Sequence, residues 1–245
     1  MKIAVINFSG NVGKTTVAQH LLLPRIPGAE LVAVESLNTG TDDGPSLRGR
    51  QFGELQEFLQ TIESAVVDIG ASNVEDLLAL MHRYHGSHMD FDCFVVPTVA
   101  ALKQQQDTTA TLIEMDRLGV EPNRVRLLFN MVEDADHVET VFRPLFEFIA
   151  GQPVAQADRQ CQLGINEVYQ RVKNTGVSLL HLARDSSNYK AQIAKAATAA
   201  EKLALAQRLA TQRLARGVVP ELDACFAALG LQSLREVGTS DALPA

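Results

Sequence analysis

The feature that most limits how this chain can fold is a set of short, continuous apolar runs set between longer helical patterns. "AVVDI" and "CFVVP" show no alternation of polar and apolar residues. Strands of that kind are covered on both faces, as in parallel sheets. Strands are expected at Lys2–Ile6, Glu30–Glu35, Ser64–Asp68, Asp92–Pro97, Arg124–Asn130 and near Pro153–Ala155. Helical patterns fall between them, at Lys14–Leu23, Asn73–Tyr84, Leu102–Leu118 and His137–Ile149. The alternation predicts an α/β fold, a mostly parallel twisted sheet with helices on both faces.

The first strand runs into "NFSGNVGKTTVAQHLL", Asn7–Leu22. A glycine-containing turn followed by a helix start gathers backbone N–H groups into a concave anion site. Gly10 and Gly13 let the backbone wrap closely, so the segment Gly10, Asn11, Val12 and Gly13 can cradle phosphates. Lys14 can reach terminal phosphates, Thr15 can ligate Mg²⁺ through its hydroxyl, and Thr16 stands near the first phosphate. Asp68 ends the run "SAVVD", where a carboxylate can hold the metal through water. Glu35 ends the second expected strand and is a candidate to orient an attacking water. Asn130 closes "VRLLFN" and is a candidate to read an adenine edge. The cofactors implied are ATP or ADP with Mg²⁺.

"SGNVGKTT", followed by "VVDIGAS", "FVVPT" and "RVRLLFN", resembles the ParA/MinD family of deviant Walker ATPases over about residues 1–185. The loop of that family lacks the first glycine of the ordinary P-loop, so Phe8 in its place is not damage. "NFSGNVGKTT", "DIGASN" and "KQQQDT" together resemble StbB-type plasmid stability proteins most. The resemblance implies a P-loop NTPase fold and an ATPase that turns over slowly. It also implies a homodimer formed with ATP, and plasmid segregation or positioning through a DNA-binding adaptor of the StbA or ParB kind. One departure matters: the signature lysine of the family falls at Ser9 here, and its second glycine at Asn11. Lys103, just after "FVVPT", is the candidate substitute for that lysine; the alternative is a solvated first helical turn.

The chain divides into an ATPase core, residues 1–184, and a C-terminal helical extension, residues 185–245. Residues 36–60 open as a Gly, Asp, Ser and Thr-rich loop, suited to covering a ligand. Beyond Asp185, one long helix is expected to end at Gly217, with a second at Pro220–Leu229. Between Arg184 and Arg216 stand seven basic and two acidic residues, a local charge of +5 in a chain of net −7. A basic helix over 190–216 suits sequence-independent phosphate contacts with DNA. It also carries a stripe, Ile193, Ala197, Ala200, Leu203 and Ala204, fit to dock on the core or on a partner. His82, His85 and His88 lack the i, i+4 spacing of helical zinc ligands and are expected to form a polar helix end.

Three distant cysteines, no signal peptide and no membrane-length apolar run predict a cytoplasmic protein, and the resemblance implies a bacterial one, nucleoid- or plasmid-associated. Two other readings stay open. One is a small-molecule kinase or synthetase with the same loop; the other is a nucleotide switch with negligible hydrolysis.

Overall fold

The structure, a computed structural model, describes residues 1–34 and 49–231. Six parallel strands form one sheet: β1 Lys2–Val5, β2 Glu30–Ala33, β3 Ala65–Asp68, β4 Cys93–Thr98, β5 Val125–Val132 and β6 Gln162–Gly164. They lie in the order β2-β3-β1-β4-β5-β6. After β1 the chain runs to β2 and β3 on one side, then crosses β1 to β4 and on outward to β6, so the strand order reverses between β1 and β4. Ligands in open α/β sheets bind beyond the carboxyl ends of the strands at such a point.

Successive residues of a strand point to opposite faces, and each face here builds its own core. Ala4 and Ile6 pack with Val67, Val96 and Phe129 under α2 Gly49–Thr61, α3 Val74–Arg83, α4 Leu102–Arg117, α5 Val138–Val141 and α6 Arg143–Gly151. Ile3 and Val5 pack with Val66, Val95 and Leu128 under α1, residues 14–22, α7 Val168–Val172, α8 Leu179–Arg184 and α10 Ala199–Ala228. Burial on both faces is what the unbroken apolar runs require. α9, Tyr189–Lys195, packs on α10.

α1 is α-helical over Lys14–Thr16 and π-helical over Val17–Leu22, where the Leu23 N–H donates to Ala18 O. Pro24 explains the widening: it has no N–H to return to His20 O. Arg25 supplies the missing donor, its Nη1 lying 2.9 Å from His20 O and 3.0 Å from Leu21 O. The same guanidinium donates from Nε to Asp223 of α10 at 2.9 Å, tying the end of α1 to the C-terminal helix.

Several expectations need correction. The sixth strand is Gln162–Gly164 rather than Pro153–Ala155; the earlier segment is buried at Val154 and Ala155 but makes only a single bridge, Gln156 to Arg126. The helix expected over His137–Ile149 breaks at Phe142, because Pro144 cannot donate into a helix that precedes it. Residues 49–60 of the expected loop are helix α2, with Phe52, Leu55 and Leu59 buried along one face. The single helix expected after Asp185 is interrupted between Lys195 and Ala199, where Thr198 and Glu201 form a capping box that starts α10 afresh.

α10 then runs unbroken through Gly217 and Pro220, not as two helices. Gly in a helix interior costs about 1 kcal/mol and Pro about 3 kcal/mol relative to Ala. Burial of Val218, Val219, Leu222 and Cys225 against the sheet outweighs this. The docking stripe is therefore the later half of the helix. The expected stripe is not docked on the core: Ile193 is half-buried, and Ala197, Ala200, Leu203 and Ala204 are exposed in the single chain, Leu203 at 60%. Leu222→Ala is expected to lower the unfolding free energy by about 2–5 kcal/mol, and Leu203→Ala by less than about 0.5 kcal/mol. Urea melts of both variants check which half of the helix is docked.

Candidate functional site

The loop Asn7–Gly13 leaves the carboxyl end of β1 at the reversal point, and α1 begins at Lys14. Two loop residues take the left-handed conformation the turn requires, Asn11 at φ 60° and Gly13 at φ 85°. Asparagine is one of the few side-chain-bearing residues that adopt it readily, so Asn11 performs the conformational work of a glycine. Gly13 is required for a second reason. A Cβ there would lie 2.1 Å from Asn130 Nδ2.

The lysine is folded over its own loop. Lys14 is buried, its Nζ donating to Ser9 O at 2.7 Å and Asn7 O at 3.1 Å. Thr15 comes next, at the helix start. Its hydroxyl donates to Asp68 Oδ2 at 2.6 Å, and Asp68 ends β3 on the neighbouring strand. A hydroxyl and a carboxylate side by side at the foot of an anion site are hard oxygen donors that suit Mg²⁺. Gly10 and Asn11 are exposed at the crest of the loop, Val12 is buried, and Thr16 is half-buried in the first turn of α1. The sheet thus brings together Gly10 to Thr16 and Asp68.

The other expected residues fare differently. Asn130 is buried and reaches the loop, but its Nδ2 donates to Val12 O at 2.8 Å. That contact braces the loop from the end of β5. Lys103 stands in the first turn of α4, 77% exposed, paired with Asp107 at 2.7 Å. The Lys103 ammonium holds the Asp107 carboxyl below its ordinary range, and a hydrogen bond from Ser9 acts in the same direction. Within its own chain Lys103 is thus linked to the loop through Asp107 and Ser9, in a solvated first turn of α4. Glu35 and most of the 36–60 segment lie outside the described residues. Among the described residues no group of three His, Cys, Asp or Glu side chains could hold a metal ion. His82, at the end of α3, His85 and His88 remain a polar helix end and the turn after it. Burial pushes the Cys93 and Cys161 thiols up to about 12, and raises Cys225 as well, which makes all three poor nucleophiles.

Residues missed by sequence reasoning support the loop from beneath. Phe8 packs on the α2–α6 core, and Asn7, Thr98, Thr108 and Thr111 are fully buried polar residues around it. The threonines carried a signal: the helical period of α4 puts Thr108, Thr111, Leu112 and Met115 on one inward face. Met131, at φ 54° beside a register shift in β5, is a left-handed residue with no sequence signal at all.

The sheet order, the loop after β1 and the Thr15–Asp68 pair define the class of protein: an α/β fold of the P-loop NTPase kind. No family model matches the chain, and no curated protein matches it. Among solved structures the chain is similar to McdA of Cyanothece without nucleotide, at TM-score 0.49 and 12% identity, over 74% of this chain and 92% of that one. It is also similar to a McdA variant in complex with ATP, at TM-score 0.46 and 12% identity, over 89% and 96%. At these values the likeness carries no weight for chemistry.

The contact between Gly13 and Asn130 yields a sharp test. Gly13→Ala is expected to destabilise the protein by about 1–3 kcal/mol, because the methyl group displaces the Asn130 amide from Val12 O. In an Asn130→Ala background most of that steric cost disappears. A double-mutant cycle by urea unfolding measures the coupling.

Proposed function

We propose that this chain is a Mg²⁺-dependent ATP-binding switch with slow hydrolysis, of the kind the ParA/MinD resemblance implies. The observation that carries the reading is the Thr15–Asp68 contact of 2.6 Å at the foot of a loop whose lysine is already buried over it. The loop N–H groups from Gly10 onward would receive the phosphates, Lys14 would turn from its carbonyls to their terminal oxygens, and Thr15 with Asp68 would hold the metal. Mg²⁺, when bound, supplies charge neutralisation between the phosphates. Glu35 is proposed to assist hydrolysis. ATP-dependent dimerisation is proposed to use Lys103, freed from Asp107, as the cation that Ser9 cannot be.

Light scattering with ADP and with ATP plus Mg²⁺ tests this reading. A dimer is expected with ATP alone in the wild type. Lys14→Ala should lose both the dimer and about 10–100-fold in nucleotide affinity, while Lys103→Ala should lose only the dimer. A mass indifferent to nucleotide removes the switch.

The biological role proposed is positioning or segregation of plasmid DNA, through a DNA-binding adaptor, in a bacterial cytoplasm. Supporting this, Lys190, Lys195, Lys202, Arg208 and Arg213 are all exposed on α9 and α10. Among the described residues no helix is long and apolar enough to cross a membrane. Replacing Lys190, Lys195 and Lys202 by Glu is expected to abolish binding to random-sequence DNA at moderate salt. Replacing one of them by Ala should reduce the slope of log K against log salt by about 1 if that residue meets a phosphate. Electrophoretic shifts over a salt series read both effects.

A further inference from the structure

α4 is an unusual core helix: its inward face meets the phosphate loop with hydroxyl groups. Thr108 and Thr111 are fully buried, and each hydroxyl donates its one proton back along the helix, Thr108 to Gln104 O at 2.7 Å and Thr111 to Asp107 O at 2.8 Å. With the proton spent, each oxygen faces the loop as an acceptor. Asn7 Nδ2 donates to Thr108 Oγ1 at 2.8 Å and to Pro97 O at 2.9 Å, and the Phe8 N–H donates to Thr111 Oγ1 at 3.0 Å. The Thr98 and Thr108 hydroxyl oxygens also lie 2.9 Å apart, within hydrogen-bond distance of each other.

The other end of the Asn7 amide turns into the loop itself, where Asn7 Oδ1 accepts from Ser9 N at 2.8 Å. Two backbone donors of the loop, on Phe8 and Ser9, are therefore committed to this support and not to an anion. The backbone oxygens of Asn7 and Ser9 both accept from the Lys14 ammonium. A displacement of the Asn7 side chain would shift both.

We infer that Thr108 is a positioning residue for the phosphate loop: through Asn7 it fixes the shape of the segment Asn7–Ser9 and with it the starting position of the Lys14 ammonium. Thr108 lies 101 residues along the chain from Asn7 and is hydrogen-bonded to the loop through that amide. The inference rests on the nucleotide-binding reading for its effect on affinity, and on geometry alone for its effect on the loop.

The test uses the full chain as wild type, Thr108→Val, Thr108→Ser and Thr111→Val. Amide hydrogen exchange is followed over residues 7–13 and over β5, and ADP binding is measured by calorimetry. Thr108→Val keeps the volume of the side chain and deletes the acceptor. It is expected to speed exchange in the loop, leave Leu127–Phe129 at wild-type protection and weaken ADP about tenfold, the scale of one lost hydrogen bond. Thr108→Ser should restore both values, and Thr111→Val should loosen Phe8 specifically. Wild-type exchange in the loop of Thr108→Val overturns the inference, as does a rise spread evenly over the sheet or a serine variant that behaves like valine. A wild-type protein that binds no ADP removes the nucleotide reading instead, and the exchange pattern then decides the positioning role by itself.

Discussion

Strand β1 is hydrogen-bonded on both edges, to β3 and β4, and its residues Ile3 to Val5 are fully buried. That double confinement is the constraint on which the rest depends. A strand with no free edge and no solvent face cannot slip in register without moving apolar side chains across the sheet. The loop that follows it therefore has a fixed origin, and Asp68 on the next strand has a fixed distance from it. A contact of 2.6 Å between Thr15 and Asp68 is possible because both positions are set by the same pair of ladders.

Above that base the loop is held by polar contacts rather than by apolar packing alone. Asn7 and Lys14 are buried, and between them their polar atoms meet Pro97 O, Thr108 Oγ1, Ser9 N, Asn7 O and Ser9 O. A buried amide or ammonium left unmatched costs free energy on the order of 1–3 kcal/mol, more for the charge. The matched set thus selects one loop conformation. It also separates two duties along the loop, with Phe8 and Ser9 serving the scaffold and the residues from Gly10 onward left to serve an anion.

The C-terminal helix joins the same system. Its later half supplies Val218, Leu222 and Cys225 to the core that also contains Ile3, Val5 and the buried side of α1. Arg25 adds a polar tie between α1 and Asp223. α10, thirty residues and about 45 Å long, therefore has one half built into the sheet and the other exposed with its basic residues. The halves differ because the first presents Lys, Arg and Ala where the second presents Val, Leu and Cys.

The sequence by itself determined the parallel sheet, since runs such as "AVVD" and "CFVVP" are stable only when covered on both faces. It also determined the strand, turn and helix start that carry Gly10 to Thr16, because these are adjacent in the chain. Only the tertiary structure decided what lies far apart in sequence. It set Asn130 against Val12, Lys103 against Asp107, and the α4 threonines beneath Asn7. It also overrode local signals: Gly217 and Pro220 read as helix ends, yet burial of their neighbours carries α10 past both. Local propensity is worth about a kilocalorie per residue, and a buried branched side chain more, so distant packing prevails wherever the two disagree.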